Sequence, residues 1–242
     1  MSRSRLPTVR STKPPESQRN GHIGDYPTLV SESELFSQGY SLVGGVDEVG
    51  TGSAAGNVVV GVVVIDAECR AWPEGLRDSK LLSATCRGGL VDPIKAWARD
   101  YAVGSASSSE VDHYGLNAAL RLAGHRALEK LRARPEVILL DGTRDWLSRP
   151  SQEPLVIPKY PLVDVAPVCT YVKADRRCAS VAAASILAKV ERDLYMIELS
   201  EQRPQFGWDV NKGYLTPEHV AAIRTWGLSE HHRTTWKIPS GS

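Results

Sequence analysis

Two β-branched runs joined by a glycine-rich connection place the first constraint on this chain. Leu42, Val43 and Val46 surround Gly44-Gly45 and lead into Asp47-Glu48; Gly50-Thr51-Gly52 and Gly56 then lead to a second run, Val58 to Ile65. That pattern predicts a β-hairpin or a tight strand pair. Side chains alternate along a strand, so Asp47 and Glu48 are expected to face opposite sides. If both serve one centre, one must point in directly and the other must act at the strand end or through water. The glycines allow the backbone to pass close to a ligand. The competing reading is an exposed, charged hairpin whose glycines only turn the chain, since short glycine motifs are common.

At 242 residues the chain can bury a sizeable core, as one domain or two small ones. Its net charge is +1, so any basic surface for a nucleic acid has to be local. The four cysteines, Cys69, Cys86, Cys169 and Cys178, form no C-x-x-C pair, which argues against a zinc ribbon or a redox dithiol and suits reduced thiols. No apolar run approaches the ~20 residues that span a bilayer, and the basic N-terminal stretch lacks the apolar segment of a signal peptide. A cytoplasmic protein without a membrane partner is expected.

Residues 1–28 carry Arg3, Arg5, Arg10, Lys13 and Arg19 among prolines and hydroxyl residues, and read as a disordered tail. A short amphipathic segment follows, with Ser31 or Ser33 as N-cap before Leu35 and Phe36. After the hairpin, a polar loop closes on Ser83, which caps a predicted helix through about Trp97. Tyr101 to Ala106 has strand character. A helix start is expected at Ser107–Glu110, and Leu116, Leu120, Ala123, Ala127, Leu128 and Leu131 fall on one helical face. Val137 to Leu140 reads as a strand covered on both faces. It ends in Asp141-Gly142, at the strand end where open α/β sheets place ligands. A long loop over 143–167, a strand from Val168 to Lys173 and a helix from Ser180 to about Glu201 come next. A last helix is predicted between Thr216 as N-cap, with Pro217 behind it, and Gly227.

Asp47, Glu48, Asp141 and Asp175 each end or follow a predicted strand. Hard oxygen ligands without paired histidines or thiolates suit Mg²⁺ or Mn²⁺. Two such ions about 4 Å apart can activate a water and stabilise a leaving oxygen in phosphodiester hydrolysis. Four separate surface acids are the alternative, and spacing alone does not join them.

Six motifs then occur in order: Gly45-Val46-Asp47-Glu48-Val49-Gly50, Asp78-Ser79-Lys80-Leu81-Leu82-Ser83, Leu140-Asp141-Gly142, Lys173-Ala174-Asp175, the helical stretch from Ala182 to Asp193, and Gly213-Tyr214-Leu215-Thr216-Pro217-Glu218-His219. Over roughly residues 30–236 the chain resembles bacterial type 2 ribonuclease H (ribonuclease HII). The resemblance implies an α/β, ribonuclease H-like mixed sheet flanked by helices with a small C-terminal helical appendage. It divides the chain into a tail (1–28), a catalytic domain (29–205) and a substrate-binding extension and tail (206–242). It further implies hydrolysis of the RNA strand of RNA–DNA hybrids, by a protein expected to be a monomer. DNA duplexes would be nicked 5′ to a single embedded ribonucleotide, leaving a 5′-phosphate and a 3′-hydroxyl.

By the same resemblance Asp47, Glu48, Asp141 and Asp175 are the metal-binding catalytic carboxylates, with two ions, Mg²⁺ or Mn²⁺, in the catalytic complex. The Gly50-Thr51-Gly52 backbone fits recognition of a 2′-hydroxyl, the group that distinguishes RNA from DNA. Tyr214 matches a tyrosine that packs on the deoxyribose after the ribonucleotide. Ser79 and Lys80 resemble a phosphate-binding loop. Ser185 and Lys189 are expected phosphate contacts, although Lys189 also forms an i,i+4 pair with Asp193. Asp175 matches the catalytic position better than Asp193 does.

Thr51 departs from the resemblance, which has a cation between those glycines, and its loss removes one phosphate contact. His231-His232-Arg233 resembles the family's ending; two adjacent histidines with no partner nearby make a poor zinc site. Three readings stand: a ribonuclease that nicks at single ribonucleotides, one that cleaves only longer hybrids, as Thr51 allows, and a non-catalytic hybrid-binding module, which would have lost a carboxylate. All four carboxylates are present.

Overall fold

The computed structural model describes residues 26–69, 71–149 and 163–237. The elements run α1 (Val30–Ser37), β1 (Val43–Val49), β2 (Val58–Ile65), α2 (Ala84–Trp97), β3 (Asp100–Ala106), α3 (Ser108–Tyr114), α4 (Leu116–Lys130), β4 (Val137–Asp141), β5 (Val168–Tyr171), α5 (Ala179–Gln202), α6 (Trp208–Asn211) and α7 (Pro217–Trp226). The strands form one mixed sheet in the order β3-β2-β1-β4-β5. The expected hairpin is β1 against β2, antiparallel, with Asp47 opposite Gly61. β4 joins β1 in parallel, and β5 joins β4 in parallel. The carboxyl ends of β1, β4 and β5 therefore share one edge of the sheet.

Every residue of β2 is buried, because the sheet is covered on both faces. Val46, Val60, Val62, Ile138 and Leu140 pack against α3 and α4, while Val43, Val63, Ile65 and Leu139 pack against α2 and α5. The α5 layer lies unusually close to the sheet. A Cβ at Gly61 would come within 2.2 Å of the Ala184 carbonyl oxygen, and one at Gly45 within 2.3 Å of the Ser180 backbone. Glycine on the strands and Ala182-Ala183-Ala184 on the helix are what permit that approach. A third apolar cluster, with Met196, Leu199, Phe206, Trp208 and Ile223, fastens α6 and α7 to the far end of α5.

Capping follows the sequence closely. Ser83 accepts from the Cys86 N–H, Ser107 and Glu110 form a reciprocal capping box, and Thr216 accepts from the His219 N–H. Three boundaries differ from expectation. Neither Ser31 nor Ser33 caps α1; both lie inside it, after a Leu29 cap. Tertiary contacts set that start, because Thr28 bridges to Cys178 and Glu32 reaches across to bond Ser180. The strand expected to reach Lys173 ends at Tyr171, and Lys173 takes a left-handed conformation instead. Gly115, at φ 80°, divides the helical stretch after Ser107 into α3 and α4. The proposed tail lies outside the described residues up to 25, as does the loop over 150–162. Among the described residues no helix is long and apolar enough to cross a membrane.

Candidate active site

Asp47 and Glu48 lie at the end of β1 and diverge as strand geometry requires. Asp47 turns toward α5, is only 3% exposed, and accepts from the Glu48 N–H at 2.8 Å and from the Ser185 hydroxyl. Glu48 turns toward α4 and lines a cleft with Thr51 and Asp141. Its Oε2 is buried without a hydrogen-bond partner among the described residues. Asp141 ends β4 and accepts from the Ala174 N–H at 2.6 Å. That bond fixes the short 3₁₀ turn Ala174–Arg176, which carries Asp175. The left-handed Lys173 bends the chain from β5 into this turn, so two strand ends and one turn converge.

The four acids sense one another. Burial first, then Glu48, Asp141 and Asp175, hold the Asp47 carboxyl well above the usual range. Burial, then Asp141, pushes Glu48 up to about 7. Asp175 is raised by burial and next by Asp141. Lys80 answers part of this negative charge. Its ammonium stands 3.6 Å from Asp175; burial opposes its charge, but Asp47 and Asp175 outweigh that and raise it. Among the described residues no three His, Cys, Asp or Glu side chains are gathered into a metal cage. The donor set still fits hard divalent cations: it is all oxygen, short of positive charge, and has one buried oxygen unpaired.

Ser79 and Ser185 are buried against each other, Oγ to Oγ at 2.8 Å, so both hydroxyls face side chains and not the surface. Asp78, which sequence reasoning passed over, builds the Lys80 loop: it accepts from the Lys80 N–H at 2.9 Å and from Arg176 at 3.1 Å. Lys189 is engaged by Asp193, which also takes Arg87 at 3.3 Å.

The Gly50–Asn57 connection is held from beneath by two fully buried arginines. Arg192 donates to the carbonyls of Asn57, Ala55 and Lys212 and to the Ser53 hydroxyl. Arg233 donates to the carbonyls of Gly50, Thr51, Gly56 and Asn57. The Thr51 and Gly52 N–H groups have no partner among the described residues. Tyr214, 41% exposed, stands beside this turn, 3.7 Å from where a Cβ on Gly52 would lie.

His232, expected to lack a partner, has one. Its Nε2 is 3.1 Å from His219 Nε2, which also accepts from Trp208 Nε1. His219 Nδ1 donates to the Tyr214 carbonyl, and burial, then His219, pushes His232 down to about 4. Neutral rings in this chain tie the C-terminal segment to Tyr214. The separation of His219 from His232 along the chain concealed the pair.

Comparison with known proteins bears on the family and the fold. The family model described as Ribonuclease HII matches residues 44–238. A protein of Streptomyces avermitilis named Ribonuclease HII is 41% identical over 211 residues, 87% of this chain and 83% of the relative. The crystal structure of ribonuclease H2 from Pyrococcus horikoshii superposes with a TM-score of 0.62 at 29% identity, covering 81% of this chain and 94% of that one. Bst-RNase HIII in complex with Mn²⁺ shares the fold, with a TM-score of 0.53 at 24% identity over 77% of this chain and 63% of the other.

Proposed function

We propose, on the premise that this chain belongs to the ribonuclease HII family, that it hydrolyses the RNA strand of RNA–DNA hybrids and nicks DNA duplexes 5′ to a single embedded ribonucleotide. The products are a 3′-hydroxyl and a 5′-phosphate. As a member of the family the chain is a ribonuclease H, a metal-dependent phosphodiester hydrolase. The observation that carries the finer reading is the coupling of Asp47, Glu48, Asp141 and Asp175 at one sheet edge, with a buried oxygen of Glu48 left unpaired.

We assign those four carboxylates as ligands for two divalent cations, Mg²⁺ or Mn²⁺, which supply an activated water and a stabilised leaving oxygen when bound. Ser185, backed by Ser79, orients Asp47. Lys80, its side chain 69% exposed, offers a point charge to the phosphate beside Asp175; Lys189, paired with Asp193 on α5, is assigned as a further phosphate contact. Recognition of the 2′-hydroxyl falls to the Gly50–Gly52 backbone, whose outward N–H groups follow from carbonyls turned inward to Arg233. Tyr214, next to that turn, packs on the following deoxyribose. Binding relies on duplex shape and phosphates, not on base identity. We take the protein to act as a cytoplasmic monomer.

A second reading, cleavage of longer hybrids only, draws on Thr51, which brings no cation to the turn. The deciding experiment compares a DNA duplex containing one ribonucleotide with one containing several in a row, under Mg²⁺ and under Mn²⁺. A nick 5′ to the lone ribonucleotide supports the first reading. Cleavage confined to the longer run replaces it with the second, and cleavage of neither refutes both.

A further inference from the structure

The cleft on the α4 side of Glu48 has a chemistry that the four carboxylates do not explain. It encloses about 350 Å³, and Glu48 and Asp141 form its acidic end. Asn117 and Arg121 from the first turns of α4, and Arg144 from the segment after β4, line it together with Thr51. A polyanion drawn against two carboxylates has to meet positive charge close by, and a chain of net charge +1 has little to spare elsewhere. Thr51 provides none.

Arg121 is built to supply it. Its Nε donates to the Ser148 carbonyl at 2.9 Å, which fixes the plane of the guanidinium. Its terminal nitrogens take no acceptor among the described residues. Asp145, on the same wall, supports the Arg121 charge through space without a hydrogen bond to it, and its Oδ1 accepts from the N–H groups of Leu147 and Ser148. A partly buried, oriented guanidinium with free N–H groups matches a phosphate better than a flexible lysine would. Asn117 adds a neutral donor. Gly115, the cap of α4, brings no side chain to that helix start, so its first-turn N–H groups leave a partial positive charge near the same cleft.

We propose that this cleft is a phosphate subsite, in which Arg121, with Asn117 and Arg144, holds a backbone phosphate flanking the cleavage position and replaces the charge absent at Thr51. The proposal rests on the function given above and adds a second basic wall, opposite in the sheet from Lys80.

The test is the salt dependence of binding to a labelled DNA duplex with one ribonucleotide, measured by fluorescence anisotropy in full-length Asp47→Asn protein with Mg²⁺. Each phosphate contact contributes about 0.9 to the slope of log affinity against log salt. Adding Arg121→Ala is expected to make that slope shallower by about 1, while Arg121→Lys keeps it. Thr51→Arg, placed in the Arg121→Ala protein, is expected to restore it from the facing wall. If Arg121 serves only to tether Ser148, the alanine variant melts earlier with its slope unchanged, and the proposal is overturned. Cleavage by the wild-type protein is measured alongside. An active enzyme with unchanged slopes sinks the subsite alone, whereas an inactive one sinks the functional reading beneath it.

Discussion

Glu48→Gln is expected to stabilise the metal-free protein at high pH, although it removes a residue we assign to catalysis. Burial, then Asp141, raises the Glu48 carboxyl to about 7, against an ordinary value of 4.5. Below pH 4.5 the group is protonated whether the chain is folded or not, and it costs nothing. Between about 4.5 and 7 the unfolded chain releases a proton that the folded chain retains, so stability falls as pH rises. Above 7 both forms are ionised and the full penalty persists. A displacement of that size corresponds to about 3 kcal/mol, and side-chain relaxation and water reduce it toward about 1–2. Glutamine keeps the shape without the charge and escapes the penalty.

In a protein of this length 1 kcal/mol moves the melting temperature by about 2–4 °C. Thermal unfolding in EDTA, followed from pH 4.5 to 8, should show Glu48→Gln gaining roughly 2–8 °C over wild type at pH 8 and almost nothing at pH 4.5. Saturating Mg²⁺ should reverse the order, since only the wild-type carboxylate recovers its cost by binding a cation. A gain of equal size at both pH values would refute the electrostatic argument, because a pH-independent effect comes from packing.

Asp47→Asn is expected to reduce cleavage by several powers of ten while duplex binding survives; near wild-type turnover in a single-turnover assay would remove Asp47 from the metal site. For Tyr214→Ala, cleavage at a single ribonucleotide should fall further than cleavage of a long hybrid, and equal losses on the two substrates would count against a junction-reading role. Glu32 is buried with Oε2 unpaired, and burial raises its pKa. Glu32→Gln should therefore leave stability unchanged in acid and raise it at pH 8, as urea unfolding at the two pH values would show. Arg192→Ala removes the donor from the Ala55 and Lys212 carbonyls, while Asn57 keeps Arg233, and should cost about 3–5 kcal/mol; a loss below 1 kcal/mol by denaturant titration would mean that the loop is held by other contacts.

Local chemistry made much of this molecule legible from sequence. The β1–β2 pair, the serine and threonine caps and the burial of Val137–Leu140 all follow from patterns confined to a few neighbouring residues. Strand-end placement likewise picked out the four acids before their coupling was visible. Long-range partners were not legible. Nothing near Ser31 tells that Glu32 will bond Ser180, 148 residues away, and so set where α1 begins. Ser185 sits in a helical pattern that gives no sign its hydroxyl turns inward to Ser79 and Asp47, so an outward phosphate contact was the natural expectation. Arg192 lies in a motif rich in charge, where a solvated cation is the ordinary inference.

The two buried arginines show why the C-terminal segment belongs to the site although it contributes none of the four carboxylates. Among the described residues neither has a carboxylate partner in contact; each spends its donors on carbonyls and, for Arg192, one hydroxyl. Burial, then the charge of Arg192, pushes Arg233 down to about 10, so it remains cationic at neutral pH beneath the loop assigned to the substrate. Arg192 reaches from α5 to Lys212, and the Gly213 carbonyl accepts from Ala54 and Ala55, so the Gly50–Asn57 loop and the approach to Tyr214 share one anchor. Arg233 comes from the other end of the same unit, held through His232, His219 and the Tyr214 carbonyl. The turn assigned to the 2′-hydroxyl, which joins β1 to β2, and the ring assigned to the following sugar are thus also fixed to each other. A shift of one against the other would break hydrogen bonds to buried groups, each costing about 1–3 kcal/mol. The proposed selection for a ribonucleotide followed by a deoxyribonucleotide requires that separation to be constant, and this network of neutral carbonyls around two charges is what would keep it so.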